Sequence, residues 1–355
     1  MNAGVFASDK IYQHAERIAE WHKTGTCAPV TVEFDLTNAC NHKCPKCAGY
    51  AGNRNAARIP TDKAKAILDE LAGYGVKAVT FTGGGEPAMH KDLDACLAYA
   101  REIGLDVALI TNGGLLTGNK ALIEQIVASC TWCRVSLDAG THAVFEKTHG
   151  VGIDAFSDTV DAILQLSNMK KYFKSKCTIG VGFLTSKETM GDMITATRIA
   201  KAAGADYIQF RPFVTNPQEI DAGQVEDYSH YDEILDNIDK CQEINGIKVL
   251  TSKHKYTAIK DSVVKRPYAV CHGHHFASVI GADLKMYLCC HLRGREEYEI
   301  GDLKVQSFKD AWESETRQSA YNNIDWADCP YLCRCDSFNR ILWNISRKKE
   351  HVNFL

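Results

Sequence analysis

Residues 37–50, TNACNHKCPKCAGY, place three thiols at Cys40, Cys44 and Cys47 in a C-x3-C-x2-C spacing, directly after the apolar run Val30–Leu36. Three thiolates on one short loop can wrap an iron–sulfur cube and hold three of its four irons. The fourth iron then takes no ligand from the loop, and an open metal position is what binds and activates a small molecule. A zinc knuckle with His42 or a distant residue as fourth ligand is the competing reading, although zinc sites favour C-x2-C pairs.

Composition narrows the setting. The 355 residues carry 41 basic and 44 acidic side chains, well mixed, for a formal net charge of −3. No basic block points to nucleic acid and no acidic tail to disorder. No run approaches the ~18 apolar residues of a membrane span, and the first residues, MNAGVFASDKIYQHAERIAEWHK, lack the apolar region of a signal peptide. A cytoplasmic protein without nucleic-acid or membrane partners is expected. Fifteen cysteines are many, but disulfide frameworks belong to short secreted domains. In this chain the clustered cysteines read as metal ligands.

From Val30 the pattern alternates strand and helix. Strand-like runs are Val30–Leu36, Ala78–Thr82, Val107–Thr111, Trp132–Leu137, Thr178–Leu184 and Tyr207–Pro212. Helical stretches lie between them at Thr61–Tyr74, Asp92–Ile103, Asn119–Ser129, Ala155–Met169 and Thr189–Ala203. Thr61 is the expected cap of the first, Gly73/Gly75 its end, and Gly104 and Gly204 end two others. Six βα units in a row predict an α/β fold with a parallel sheet. Ligands in such sheets sit beyond the carboxyl ends of the strands. There the chain places the three cysteines, then Gly83-Gly84-Gly85-Glu86-Pro87, Asn112, Ser136 and Arg211. Gly83–Gly85 suit a close backbone approach to a ligand or a tight turn, and Glu86 is set to accept hydrogen bonds from an ammonium group. No Gly-Lys-Ser/Thr follows, so this is not a phosphate loop.

These two motifs at successive strand ends resemble the radical S-adenosylmethionine (radical SAM) enzymes. That resemblance implies a partial, curved (β/α)6 TIM-like barrel. It implies a [4Fe–4S] cluster on Cys40, Cys44 and Cys47 with an open iron site, and S-adenosyl-L-methionine chelated to that iron. One-electron cleavage of the sulfonium would then give a 5′-deoxyadenosyl radical that abstracts hydrogen from a substrate. Gly84, Gly85 and Glu86 match the family's contact to the methionine amino group. Ser136 falls where a polar residue faces the ribose or carboxylate, and Asn112 is carried over to the same pocket. Arg211 is open to three roles: the methionine carboxylate, the substrate, or a pair within the barrel. A flavodoxin- or ferredoxin-type protein is the expected electron donor.

The expected organisation is a helical extension over 1–29, the core over 30–215, a helical bridge over 216–262 and a second cluster domain over 263–355. Six of the fifteen cysteines, Cys271, Cys289, Cys290, Cys329, Cys333 and Cys335, fall in that last part. Cys271 and Cys289 bracket a predicted β-hairpin (Phe276–Ile280, Lys285–Leu288), and Cys329–Cys335 precedes a predicted helix, Ser337–Ser346. Segments converging in this way build a four-thiolate iron–sulfur or zinc site. This part resembles the twitch domain, the shortened SPASM domain, which implies one auxiliary [4Fe–4S] cluster. The hairpin has Leu284 where that family has glycine. The expected ligands are Cys271, Cys289, Cys329 and Cys333, with Cys290 and Cys335 surplus; Cys335 is also a candidate hydrogen-atom donor. His272, His274, His275 and His291 lie close enough in sequence to tune the cluster.

The resulting expectation is an oxidoreductase or lyase acting on a small polar molecule (a sugar, aminocyclitol or nucleoside-type intermediate) by dehydrogenation, epimerisation or decarboxylation. The alternative is a maturase that modifies a peptide or protein side chain. The short stretch before the first strand, where peptide-modifying members carry a recognition domain, favours the small substrate.

Overall fold

Val32, Phe34 and Leu36 alternate with Glu33 and Asp35, so the first strand presents one apolar and one charged face. Apolar side chains meet helices on the outside, and charged ones line the inside of a curved sheet. A computed structural model describes residues 8–47, 57–213, 229–260, 266–330 and 332–354. Strands β1 (Thr31–Phe34), β2 (Ala78–Phe81), β3 (Asp106–Thr111), β4 (Trp132–Ser136), β5 (Thr178–Thr185) and β6 (Tyr207–Pro212) lie side by side in that order, each parallel to the next. Helices α2 (Thr61–Tyr74), α3 (Leu93–Glu102), α4 (Lys120–Ser129), α6 (Ala155–Phe173) and α7 (Met193–Ala202) cross between them. Val79, Phe81, Leu97, Ile126, Phe183 and Phe210 are fully buried in the layer between sheet and helices.

Several local expectations change. Thr61 does not cap α2; Pro60 precedes the helix and the Thr61 hydroxyl donates to Asp92 Oδ2, fastening α2 to the start of α3. Gly73 sits inside the last turn, and Gly75, at φ +98, ends it. A helix absent from the expected pattern, α5 (His142–His149), is capped by Thr141 Oγ1, which accepts the Val144 N–H at 3.4 Å. Its eight residues are too short for a clear apolar period.

The bridge is not purely helical. It contains α8 (Tyr231–Gln242), then β7 (Lys248–Thr251), then α9 (Lys253–Lys260). β7 extends the sheet by pairing parallel with β6, Tyr207 opposite Lys248. Of its four residues Lys248 is exposed and the other three are only partly buried, which is why the apolar signal is weak. The expected loop around Pro217 and Gly223 lies outside the described residues.

The C-terminal part does not hang from the barrel as a separate body. β8 (Ala277–Ile280) pairs parallel with the other edge of β1, Val32 opposite Ser278. β9 (Lys285–Tyr287) and β10 (Glu299–Asp302) follow antiparallel, giving the order β10-β9-β8-β1-β2-β3-β4-β5-β6-β7. The chain ends in α10 (Phe308–Trp312), α11 (Glu315–Asn322) and α12 (Asp336–Ser346). The N-terminal helix α1 (Ala15–Thr24) packs on this lobe through Ile18 and Trp21, which meet Phe276 and Leu342. Among the described residues no helix is long and apolar enough to cross a membrane.

Candidate active site and cluster cavity

The cysteine loop leaves β1 and lies across the carboxyl end of β2. The Glu86 N–H donates to Ala39 O at 2.9 Å, and a Cβ on Gly85 would stand 2.1 Å from that oxygen. Only glycine permits this approach. Gly83, at φ +144, lies against Asp35. Asn112 Nδ2 donates to Asn41 Oδ1 at 2.8 Å, and the Lys43 N–H donates to His149 O at 3.0 Å. The ends of β2 and β3 and the C-terminus of α5 therefore grip the loop from three sides.

Within it, Cys40 is exposed while Cys44 and Cys47 are half-buried. The His42 N–H points at Cys40 Sγ, 3.4 Å away. Burial, followed by the charges of Cys47, Asp138 and Cys40, pushes the Cys44 thiol up to about 12. A thiol so reluctant to ionise becomes a ligand only when a cation compensates the thiolate, as a metal cluster does. His42, Cys44 and His149 also bring three ligand atoms within 4.8 Å of one another, the grouping a zinc reading would use. The hydrogen bonds assign these histidines differently. His149 Nε2 lies 3.2 Å from Leu137 O, so it carries the proton and donates. His149 Nδ1 is then an acceptor, and His42 Nδ1, 3.2 Å away, donates to it. Burial keeps both rings neutral, with pKa values lowered to about 4. The pair props the loop against α5 and β4.

Glu86 is buried, and its carboxylate already accepts three hydrogen bonds. It accepts from Thr111 Oγ1 at 2.6 Å, Asn112 N at 2.7 Å and Ala88 N at 3.0 Å. The side chain expected to meet an ammonium group also ties the end of β2 to the end of β3. The backbone of 83–85 remains as the edge that faces the loop. Asn112 is likewise committed to Asn41 and to the Gly114 N–H. Ser136 ends β4 opposite Gly182; Cys133 and Val135 enter the outer core, so Ser136 and Arg134 face the barrel interior. Arg211 lies at the end of β6, opposite Leu184.

Sequence reading missed the ion network that closes the barrel on its β1 side. Arg293 Nη2 donates to Glu33 Oε2 at 2.7 Å, Arg293 Nε stands 3.0 Å from Asp35 Oδ2, and Arg334 Nη1 pairs with Glu33 Oε1. Asp35 is fully buried; desolvation raises its carboxyl to about 6, even though Arg293 and the Gly84 N–H pull it down. Alternating Glu33 and Asp35 in a buried strand was the available signal. Their partners, 258 to 301 residues further along the chain, could not be paired from spacing.

The second thiol group converges on one cavity. Cys271, Cys289, Cys290, Cys329, Cys333 and Cys335 all line it. Asn339 on α12 holds the Cys271 segment: its Oδ1 accepts the His272 and Gly273 N–H groups at 2.6 and 3.0 Å, and its Nδ2 donates to Val270 O. Arg266 donates to Cys329 O at 2.5 Å, holding the other segment. Burial, then neighbouring thiolate charge, raises Cys271 and Cys329 to about 12. Cys335 is buried in the wall of this cavity, which Cys289 and Cys333 also line. His274 also lines the cavity, and its Nε2 is buried without a hydrogen-bond partner among the described residues. Six thiols and an orphaned donor around one space fit a sulfur-rich cluster. Leu284 holds φ +67, which accounts for glycine at the matching position of the resembled hairpin.

A family model described as the radical SAM superfamily matches residues 34–196, and one for the SPASM iron–sulfur cluster-binding domain matches 271–336. The AdoMet-dependent heme synthase of Methanosarcina barkeri is 26% identical over 314 residues, covering 81% of this chain and 83% of that protein. The PqqA peptide cyclase of Rhodopseudomonas palustris is 41% identical over 123 residues, but this match spans only 34% of the chain and 32% of the cyclase. The structure of Streptococcus suis SuiB bound to precursor peptide SuiA superposes with TM-score 0.68 at 14% identity, over 89% of this chain and 72% of that one. The cofactors of these two domains are a [4Fe–4S] cluster with an open iron, S-adenosyl-L-methionine and an auxiliary [4Fe–4S] cluster. With the loop gripped beside the Gly-Gly-Glu-Pro edge and the thiol cavity joined to the same sheet, the chain carries a radical SAM domain over residues 34–196 and a C-terminal SPASM domain over residues 271–336.

Proposed function

We propose that this enzyme oxidises a side chain of a peptide substrate, as a maturase. The observation that carries the reading is the parallel pairing of β8 with β1, which brings the thiol cavity to the flank of the radical site. An electron acceptor so placed suits a two-electron oxidation, in which a substrate radical gives up its second electron. Similarity to the PqqA peptide cyclase supports a peptide. The small sugar-like substrate expected from sequence has no counterpart among the relatives named above. A second reading, oxidation of a tetrapyrrole side chain, rests on the longer match to the heme synthase.

In this proposal Cys40, Cys44 and Cys47 hold the first cluster. Bound there, the reduced cluster and S-adenosyl-L-methionine supply a 5′-deoxyadenosyl radical that takes hydrogen from the substrate. The chain's task is positional. Gly84 and Gly85 lend an unobstructed backbone edge, Glu86 and Asn112 keep that edge and the loop in register, and Ser136 offers a hydroxyl from β4. Cys271, Cys289, Cys329 and Cys333 hold the auxiliary cluster; Cys335 is a further ligand or wall residue, better placed for that than for donating a hydrogen atom at the barrel mouth. A single auxiliary cluster, as in the shortened domain, accounts for four of the six thiols. A cytoplasmic location and a flavodoxin- or ferredoxin-type donor complete the proposal.

The test is anaerobic reconstitution, with iron counting and 5′-deoxyadenosine assay. Roughly eight irons per chain, four for each cube, are expected. Peptides encoded beside the gene should then lose hydrogen by mass spectrometry. Turnover of a porphyrin in place of every such peptide would select the second reading.

A further inference from the structure

The inner wall formed by β4, β5 and β6 is basic, and its strands are shaped to make it so. β5 carries Gly180 and Gly182 where a Cβ would lie 1.9 Å from the Tyr207 ring and 3.3 Å from Arg134 Cδ. The two glycines clear a floor over which Tyr207 and the Arg134 stem pass. Arg134 Nη1 donates to Gln209 Oε1 at 3.0 Å. Two residues further along β6, Arg211 lies on the same inner face, and its charge reaches Arg134.

The groups that face Arg211 are otherwise committed. Asp138, whose charge reaches it, accepts the Leu184 N–H at 2.6 Å and lies 3.8 Å from His149 Nε2. Lys255 on α9 donates to Leu332 O at 2.8 Å. Tyr256 shares its hydroxyl with Thr185 at 2.9 Å. On the opposite wall Glu33 and Asp35 are taken by Arg293 and Arg334. Arg211 Nε is buried with no hydrogen-bond partner among the described residues, and its guanidinium stands in no ion pair there. Arg211 is half-buried and only its Nε is sealed from solvent, so the guanidinium can meet an incoming anion, and its fork geometry selects a carboxylate.

Two directions locate that carboxylate. Lys46 of the cysteine loop stands 4.9 Å over the Phe213 ring, just beyond Arg211, so one side borders the first cluster. Lys255 and Leu332 border the other side, next to Cys333. We propose that Arg211 binds a carboxylate of the substrate and so orients it between the two cluster sites. For a peptide this is an acidic side chain or the C-terminal carboxylate. The inference deepens the proposed function but depends only on the barrel being the substrate chamber.

S-adenosyl-L-methionine also carries a carboxylate, and the experiment separates the two. The reconstituted enzyme, saturated with S-adenosyl-L-methionine, is titrated anaerobically by calorimetry with glutarate and with its neutral analogue glutaramide. Glutarate is expected to bind and glutaramide not. Arg211→Gln should lose glutarate by about tenfold or more, with affinity for S-adenosyl-L-methionine kept within about threefold. Arg211→Lys, which keeps the charge without the fork, should fall between and serves if the glutamine variant does not fold. Equal binding of both probes, no glutarate binding, or a tenfold loss of S-adenosyl-L-methionine in either variant overturns the assignment. Peptide turnover plays no part in these titrations, so a failed peptide assay would leave their result intact.

Discussion

His274 shows how single atoms in this protein await a cofactor. Arg317 Nη2 lies 3.3 Å from His274 Nδ1 and 3.1 Å from His275 Nδ1, and a guanidinium can only donate. Both Nδ1 atoms are acceptors, so His274 Nε2 carries a proton, and in the wall of the thiol cavity no acceptor among the described residues receives it. A donor to cluster sulfur raises the reduction potential. His274→Phe should therefore lower the auxiliary potential in an EPR-monitored redox titration while leaving the iron count unchanged. Burial holds both rings neutral, His275 at about 2 and His274 far below its ordinary value. The unfolded chain takes up these protons below pH ~6.5 and the folded chain does not. Stability should fall on acidification from pH 7 to 5 by up to about 1.4 kcal/mol per pH unit for each ring. Asp35 and Asp138, raised by burial to about 6, work in the opposite sense between pH ~4 and ~6. Thermal unfolding across that range gives the net slope. Glu86→Ala strands the Thr111 hydroxyl and two backbone N–H groups, at a cost of about 3 kcal/mol. Glu86→Gln, which keeps an acceptor, should lose less in the same denaturation assay.

At the scale of elements, β5 and α12 each perform a task that composition hides. Gly180 in β5 is an open lane for Tyr207, so Gly180→Ala should cost about 1–3 kcal/mol by overpacking, read as a lower melting temperature. α12 carries Asn339, whose amide straps the segment bearing Cys271. Asn339→Ala should reduce iron from roughly eight toward roughly four per chain, while uncoupled 5′-deoxyadenosine formation survives. Cys271→Ala should behave in the same way, sparing uncoupled cleavage more than turnover. Equal loss of both activities would show that the two cluster sites are not functionally distinct. Replacing any of Cys40, Cys44 or Cys47 by Ala should abolish cleavage altogether.

For the whole molecule, β8 alongside β1 makes one sheet of what the sequence divides into a core and an appended domain. Arg293 and Arg334 fasten the two through Glu33 and Asp35 inside the barrel. Removing Arg293 leaves a buried acidic pair with one cation fewer, and breaking such a pair costs about 3–5 kcal/mol. Arg293→Met should therefore lower the melting temperature.

Period-two and helical patterning, glycine at chain reversals and the cysteine spacing were enough to read a run of βα units with a parallel sheet and both thiol groups; the closure into a partial barrel came from the family resemblance. Those features are local: each depends on residues a few positions apart, and backbone geometry alone turns them into elements. Sequence reading also reached Cys40, Cys44, Cys47 and the Gly84–Glu86 edge, because they follow directly on strands. It did not reach the proton on His149, the hydrogen bonds Glu86 makes to β3, the short strand β7, the ion network of Glu33 and Asp35, or the basic wall around Arg211. Each of those depends on which side chains meet across the barrel after hundreds of residues have closed upon themselves. Only the folded chain brings those charges within hydrogen-bonding distance and removes the water that would have made their positions immaterial.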